Sequence, residues 1–274
     1  MELNSYNVHG INIEHKISKA NYNKILEDIL VKYNFWRKST EKIEGNSIED
    51  IREKVDLLNE YKKCFDSVKK YFKPQDKLES TINEEFLYFL FSKIKELSSD
   101  MILLGPAKTY LDLSFAPKNL LHFIDEPGVY IREKNQDFTI SKKVDCIFKN
   151  KIEKEERYEL TIPAVVIECK MFIPQTMFDQ AAYEAQRLKE GNPFSLFIIM
   201  AEQNALRDDV NLKHTKVDEV FILRKQKRTK EKKPIDYLVV YELFKFVEDY
   251  LKQDWFNLTK ATDRGRLIQK SSLT

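Results

Sequence analysis

The chain has 274 residues, 42% of them hydrophobic with 18 Phe and 13 Tyr, and only 6 Gly and 8 Pro. That content excludes a linker-dominated or disordered chain and can bury a sizeable core, as one α/β domain or a core with a helical annex. Lys and Arg number 46 against 44 Asp and Glu, so the net charge of +2 offers no global field, and a polyanion would have to be met by local clustering. Cys64, Cys146 and Cys169 are odd in number and irregular in spacing, which reads as free thiols in a reducing compartment. The four histidines form no Cys/His pair at ligand spacing, which argues against zinc. No apolar run reaches membrane-span length and Met1-Glu-Leu-Asn-Ser5 lacks a basic flank with an apolar signal core, so a cytoplasmic protein without membrane contact is expected.

Residues 1–20 show no clear period. Ile25, Ile29, Leu30, Tyr33 and Phe35 lie near helical spacing, and Glu44-Gly45-Asn46 ends that pattern. Ser47 and Asp50 form an acidic capping box ahead of a long helix whose stripe runs from Ile48 through Val55, Tyr61 and Phe65 to Phe72, stopping before Pro74. Such a stripe signals core or a partner-helix surface rather than chemistry. A second amphipathic segment covers Thr81 to Leu97, with Glu84 and Glu85 near its start. First-turn acids suit the helix dipole, and the functional alternative is an extra acid reaching a metal site.

Short β-like runs follow at 109–115 and 129–132, with Asp125-Glu-Pro-Gly128 as a turn between them. Two apolar runs come next: Val144-Asp145-Cys146-Ile147-Phe148, and one ending Val165-Val-Ile-Glu168-Cys169-Lys170. Alternation along a strand puts Glu168 and Lys170 on one face and Val165, Ile167 and Cys169 on the other. With the first run paired beside the second, Asp145 joins them. Two carboxylates and a lysine in one small volume can hold Mg²⁺, which binds through one or two carboxylates plus phosphate and water, and can position water. The bland alternative is a Glu-x-Lys pair capping a buried strand as it reaches solvent.

A helix after Pro174, with Thr176 and Asp179 as cap and first-turn acid, ends at Gly191-Asn192-Pro193. Phe194 to Met200 reads as a strand covered on both faces, and 217–223 as another. Residues 224–233 carry seven basic residues in ten and are the obvious phosphate-contacting element, Arg224, Lys225, Lys227 and Arg228 foremost, unless the run is merely a solvated loop. An amphipathic helix spans 237–251. No internal repeat, P-loop, dinucleotide fingerprint or Gly-x-Ser-x-Gly elbow occurs.

Asp145 followed by Glu168-Cys-Lys170, a helix and a strand resembles the PD-(D/E)XK nuclease superfamily. Ser114-Phe-Ala-Pro117, Ile131 to Phe138 and Leu223 to Thr229 bring the likeness closer to BbvCI-like type II restriction endonuclease subunits. The resemblance covers roughly residues 109–229. It implies Asp145 and Glu168 as Mg²⁺ ligands, the Cys169 carbonyl as a further ligand, and Lys170 assisting the nucleophilic water. Val144 departs from the motif's proline, and Asp137 is a rival first acid; Asp145 is preferred because it opens the strand next to Glu168 in sequence. Gln180, on the following helix, would face the scissile phosphate as a glutamine does in some relatives.

The expected architecture is therefore an α/β restriction-endonuclease-like core, a mixed central sheet flanked by helices, over 77–274, with an N-terminal helical region at 1–76. The expected function is Mg²⁺-dependent cleavage of double-stranded DNA at a specific sequence, by a homodimer or with a related second subunit. A repair or junction nuclease of the same fold, or a DNA-binding module with a relic site, are the alternatives.

Overall fold

The computed structural model describes residues 7–18, 23–72, 77–125, 128–149 and 155–265. A mixed five-stranded sheet is its frame, in the order β1-β2-β3-β4-β5: β1 (Ile102–Phe115), β2 (Val129–Lys149), β3 (Glu155–Pro174), β4 (Leu196–Ala205) and β5 (Glu219–Ile222). The first three strands pair antiparallel, while β3, β4 and β5 run parallel. A parallel neighbour needs a crossover, and α6 (Gln175–Gly191) supplies it between β3 and β4.

The two faces of the sheet are covered differently. On one, α1 (Val8–Ile17), α2 (Asn23–Glu41), α3 (Ile48–Val68), α4 (Leu78–Phe91) and α7 (Tyr237–Lys252) share one apolar core with Phe138, Ile140, Val165, Ile167, Ile198 and Met200. On the other, Phe178, Ala181, Ala185 and Leu188 of α6 pack on Val166, Phe197, Ile199 and Ala201. Alternation along β3 and β4 thus feeds both cores at once, which is why Leu196 to Ala201 are all buried. The helices of the first 76 residues bury their stripes against the sheet's own helices, so both regions draw on the same core.

Several local expectations are met. Ser47 and Asp50 exchange hydrogen bonds, Ser47 N–H to Asp50 Oδ2 at 2.9 Å and Asp50 N–H to Ser47 Oγ at 3.1 Å. Others shift. Residues 8–17 are helical although the sequence shows no period there, because α1 docks His9 and Ile13 into the pocket between α2, α3 and α4. The helix after Pro174 begins at Gln175 with Pro174 as its N-cap; Asp179 accepts from Gln175 Nε2 at 2.7 Å, and Thr176 is no cap. The segment 101–149 is far more continuous than short runs suggest: β1 and β2 are 14 and 21 residues long, with register shifts at Gly105/Ala107, Tyr110/Asp112 and Ile140/Ser141. A short helix, α5 (Leu120–Asp125), lies between them. The predicted turn at 125–128 and the stop before Pro74 fall partly outside the described residues. The last described helix is α8 (Leu258–Asp263).

Candidate active site

Glu168 and Lys170 leave β3 on the face covered by α6, as their period predicts, and Lys170 Nζ donates to Glu168 Oε2 at 2.6 Å. The third member comes from β2. Phe138 pairs with Ile167, so Asp137 stands beside Glu168 at the register shift that bends β2. Its Oδ2 accepts from Lys170 Nζ at 3.2 Å and from the Cys169 main-chain N–H at 2.9 Å. Two carboxylates and an ammonium thereby converge.

The electrostatics follow from geometry. Burial pushes the Glu168 carboxyl up and the Asp137 carboxylate pushes it further, with the Lys170 ammonium opposing both. Burial works to lower Lys170, yet Glu168 and Asp137 outweigh it and hold the lysine well above its ordinary value, so it is an ammonium at neutral pH. Glu84 of α4 approaches from the opposite face. Its carboxyl is raised to about 7, first by burial and then by Asp137, with Lys170 and Lys77 pulling down. Sequence spacing marked Glu84 as a first-turn acid; its place beside the cluster depends on how α4 crosses the sheet, which no local pattern encodes.

A cleft of about 250 Å³ opens over the cluster, lined by Lys134, Asn135, Asp137, Glu168, Lys170, Met177, Gln180 and Glu184. Gln180 Nε2 donates to Glu184 Oε1 at 3.1 Å, and Lys134 Nζ to the same oxygen at 2.5 Å. Gln180 is thus in the cleft wall. Lys134 and Glu184 were not anticipated; Lys134 lies three residues before Asp137 on β2, and Glu184 one helical turn beyond Gln180 on α6. Glu184 also adds negative charge near Glu168.

Other predicted residues lie elsewhere. Asp145 pairs with Glu159, nine residues before Glu168 on β3, which is on the order of 30 Å along the strand. It is exposed on an extension of the β2–β3 pair and cannot join the cluster. The physical reason is hairpin register: residues near the connection pair with each other, so the partner of Glu168 is far back on β2. The Cys169 side chain is buried in the opposite core, its thiol held well above its ordinary value by burial, so only its main chain borders the site.

The basic run divides. Arg224 is 5% exposed, and its Nε donates to Glu202 Oε2 at 2.6 Å while Nη1 reaches the Lys233 carbonyl; it is internal and unavailable to phosphate. Lys225 pairs with Asp236 at 2.9 Å and Lys227 with Asp208 at 2.5 Å. Arg228 lies over the Phe172 ring at 3.6 Å from its centroid.

The cleft offers hard oxygen donors next to a fixed ammonium, a set suited to a phosphodiester and a small divalent cation. Among the described residues no group of three or more His, Cys, Asp or Glu is placed to hold a metal ion, and no helix is long and apolar enough to cross a membrane. No curated protein sequence matches the chain. In fold it is similar to a solved structure described as the native BbvCI A2B2 tetramer at low resolution, with a TM-score of 0.70 at 18% identity, over 90% of this chain and 98% of that one. The sequence model of the Bpu10I restriction endonuclease family matches residues 75–263, which include the whole sheet, the cleft and the basic run. The chain accordingly belongs to the Bpu10I restriction endonuclease family, type II enzymes that cut DNA at specific sequences.

Proposed function

We propose that Asp137, Glu168 and Lys170 are the catalytic group of this endonuclease and that it works with Mg²⁺. The observation that carries this is the convergence of both carboxylates on one ammonium at the floor of an open cleft. The donor set fits the ion: two carboxylates, with the Cys169 carbonyl as an adjacent main-chain oxygen, leave positions for water and substrate phosphate, as Mg²⁺ prefers. When bound, Mg²⁺ supplies charge neutralisation and water activation. Asp137 and Glu168 would hold it, and Glu168 accepts the hydrogen bond that keeps Lys170 pointed into the cleft. The Lys170 ammonium orients the attacking water and offsets phosphoryl charge. Water oxygen bonds to phosphorus as the bond to the 3′-oxygen breaks; the water gives up a proton to solvent and the 3′-oxygen takes one up, leaving a 5′-phosphate and a 3′-hydroxyl. Gln180 and Lys134 form the wall against which the phosphate lies.

One such group cuts one strand, so a double-strand break needs two. The BbvCI likeness, an A2B2 assembly of two kinds of subunit, favours a related second chain over a homodimer. The direct test is cleavage of unmethylated plasmid by the purified chain, alone and with a related subunit encoded beside it. Discrete fragments with Mg²⁺, absent in EDTA, are expected; unchanged cleavage in EDTA would contradict the metal assignment, and complete cutting at a palindrome by this chain alone would contradict the two-subunit reading.

A further inference from the structure

We propose that Arg228, seated over the Phe172 ring, is a specificity-determining residue that reads a guanine in the major groove of the bound DNA. This rests on the DNA-cleaving reading of the cleft and extends it to one base. Phe172 follows Lys170 by two residues on β3, about 7 Å further along the strand, and lines a hollow with Glu79, Met171 and Gln203 beyond the cleft. The guanidinium of Arg228 lies 3.6 Å from the ring centroid. Arg224, Lys225, Lys227 and Lys232 of the same run each have a carboxylate partner. Arg228 is exposed and, among the described residues, its side chain has no hydrogen bond or ion pair, so its N–H donors are available.

Its loop is also fixed in advance. The Arg228 N–H donates to the Asn204 carbonyl at 2.7 Å, the Asn204 N–H to the Gln226 carbonyl at 3.0 Å, and Gln203 Nε2 to the Thr229 carbonyl at 3.3 Å. The loop thus extends the sheet as a neighbour of β4, and little freedom remains to be lost on binding. A guanidinium held over an aromatic ring without polar partners keeps its N–H donors free, in the fork that matches guanine O6 and N7. Lys230, exposed in the same hollow of Met171, Phe172, Gln203 and Arg228, is a point charge better suited to the backbone.

The test uses the full chain with any companion subunit it requires, a pool of duplexes with a randomised segment, Mg²⁺, and sequencing of the cut ends. Wild type should return one defined sequence. R228A should lose about 10- to 100-fold in cutting at that sequence and accept other bases at one G·C position, the remaining positions staying strict. R228K keeps the charge without the fork and should behave like R228A; F172L should relax the same position more weakly. An unchanged profile in R228A, or a loss that is uniform across sequences, lowers the salt dependence and is restored by R228K, would overturn the proposal and make Arg228 a phosphate contact. Failure of wild type to cut any defined sequence would instead sink the endonuclease reading, and this inference with it.

Discussion

Two carboxylates on neighbouring strands show how similar contacts serve different ends. Glu168 on β3 and Glu202 on β4 each meet a lysine ammonium at 2.6 Å, from opposite faces of the sheet. Around Glu202 the cations are in excess: Lys62 and Arg224 both pair with it, and Asn83 Nδ2 donates at 3.1 Å. Burial alone would raise its carboxyl, yet Lys62 and Arg224 outweigh that and hold it at about 2. Around Glu168 the carboxylates are in excess, with Asp137 beside it and Glu84 and Glu184 near, and its carboxyl is raised. A sealed, charge-satisfied cluster ties α3, α4 and β4 to the start of the basic run. An open cluster with surplus negative charge can take up a further positive group, as the proposed metal-dependent reading requires.

Breaking the open cluster should cost activity and not stability. Glu168→Gln should lower plasmid cleavage by on the order of 10³-fold or more, with the thermal midpoint unchanged or raised as like-charge repulsion and desolvation are relieved. A loss of activity matched by a loss of folded protein would remove the distinction. Breaking the sealed cluster should do the reverse: Glu202→Gln strands two buried cations and should cost about 3–5 kcal/mol in urea unfolding. A cost below about 1 kcal/mol would mean that the network is looser than its distances imply.

A third buried acid sharpens the comparison, because it lacks a close cation. Glu85 accepts from the His9 N–H at 3.0 Å and Tyr33 O–H at 2.6 Å, while Arg37 stands 3.9 Å away. Burial raises its carboxyl to about 7, against the hydrogen bonds of Tyr33 and His9. The folded state therefore holds this proton more tightly than the unfolded chain, so stability from Glu85 is fully present below the usual carboxylate range and is lost as pH rises to about 7. His9, lowered to about 3 by burial, acts in the opposite sense, gaining stability as pH rises from about 3 towards its ordinary value. Comparing Glu85→Gln with wild type removes the His9 contribution: the variant should gain on wild type by on the order of 3 kcal/mol between pH 4.5 and 8. A pH-independent difference would show Glu85 ionised without strain. The smallest effects belong to the outer lysines: Lys225→Ala and Lys227→Ala, already paired with Asp236 and Asp208, should each change DNA binding by less than about 1 kcal/mol in a titration at moderate salt. A large loss from either would return that residue to the interface.

Much of this was legible in the chain. The Glu168–Lys170 pair, the two-sided burial of β4 and the capping box at Ser47 are local, and period or spacing encodes them. The first acid was not, because β2 is a single 21-residue strand and proximity in sequence favoured Asp145. Pairing that reaches Lys149 with Glu155 centres the connection near residue 152, so Glu168 must face a residue about as far on the other side, which is where Asp137 stands. Arg224 reads as a phosphate contact in the sequence because charge composition says nothing about the buried carboxylate waiting on β4. Glu84 required the crossing of α4 over the sheet.

The central claim is that Asp137, and not Asp145, completes the cleft, and a paired substitution measures it. Asp137→Asn and Asp145→Asn should be assayed side by side for cleavage of one substrate at saturating Mg²⁺, with folding checked by thermal melts. Loss of cutting in the first and near-wild-type turnover in the second is the result this geometry predicts; full turnover in Asp137→Asn with loss in Asp145→Asn would contradict it.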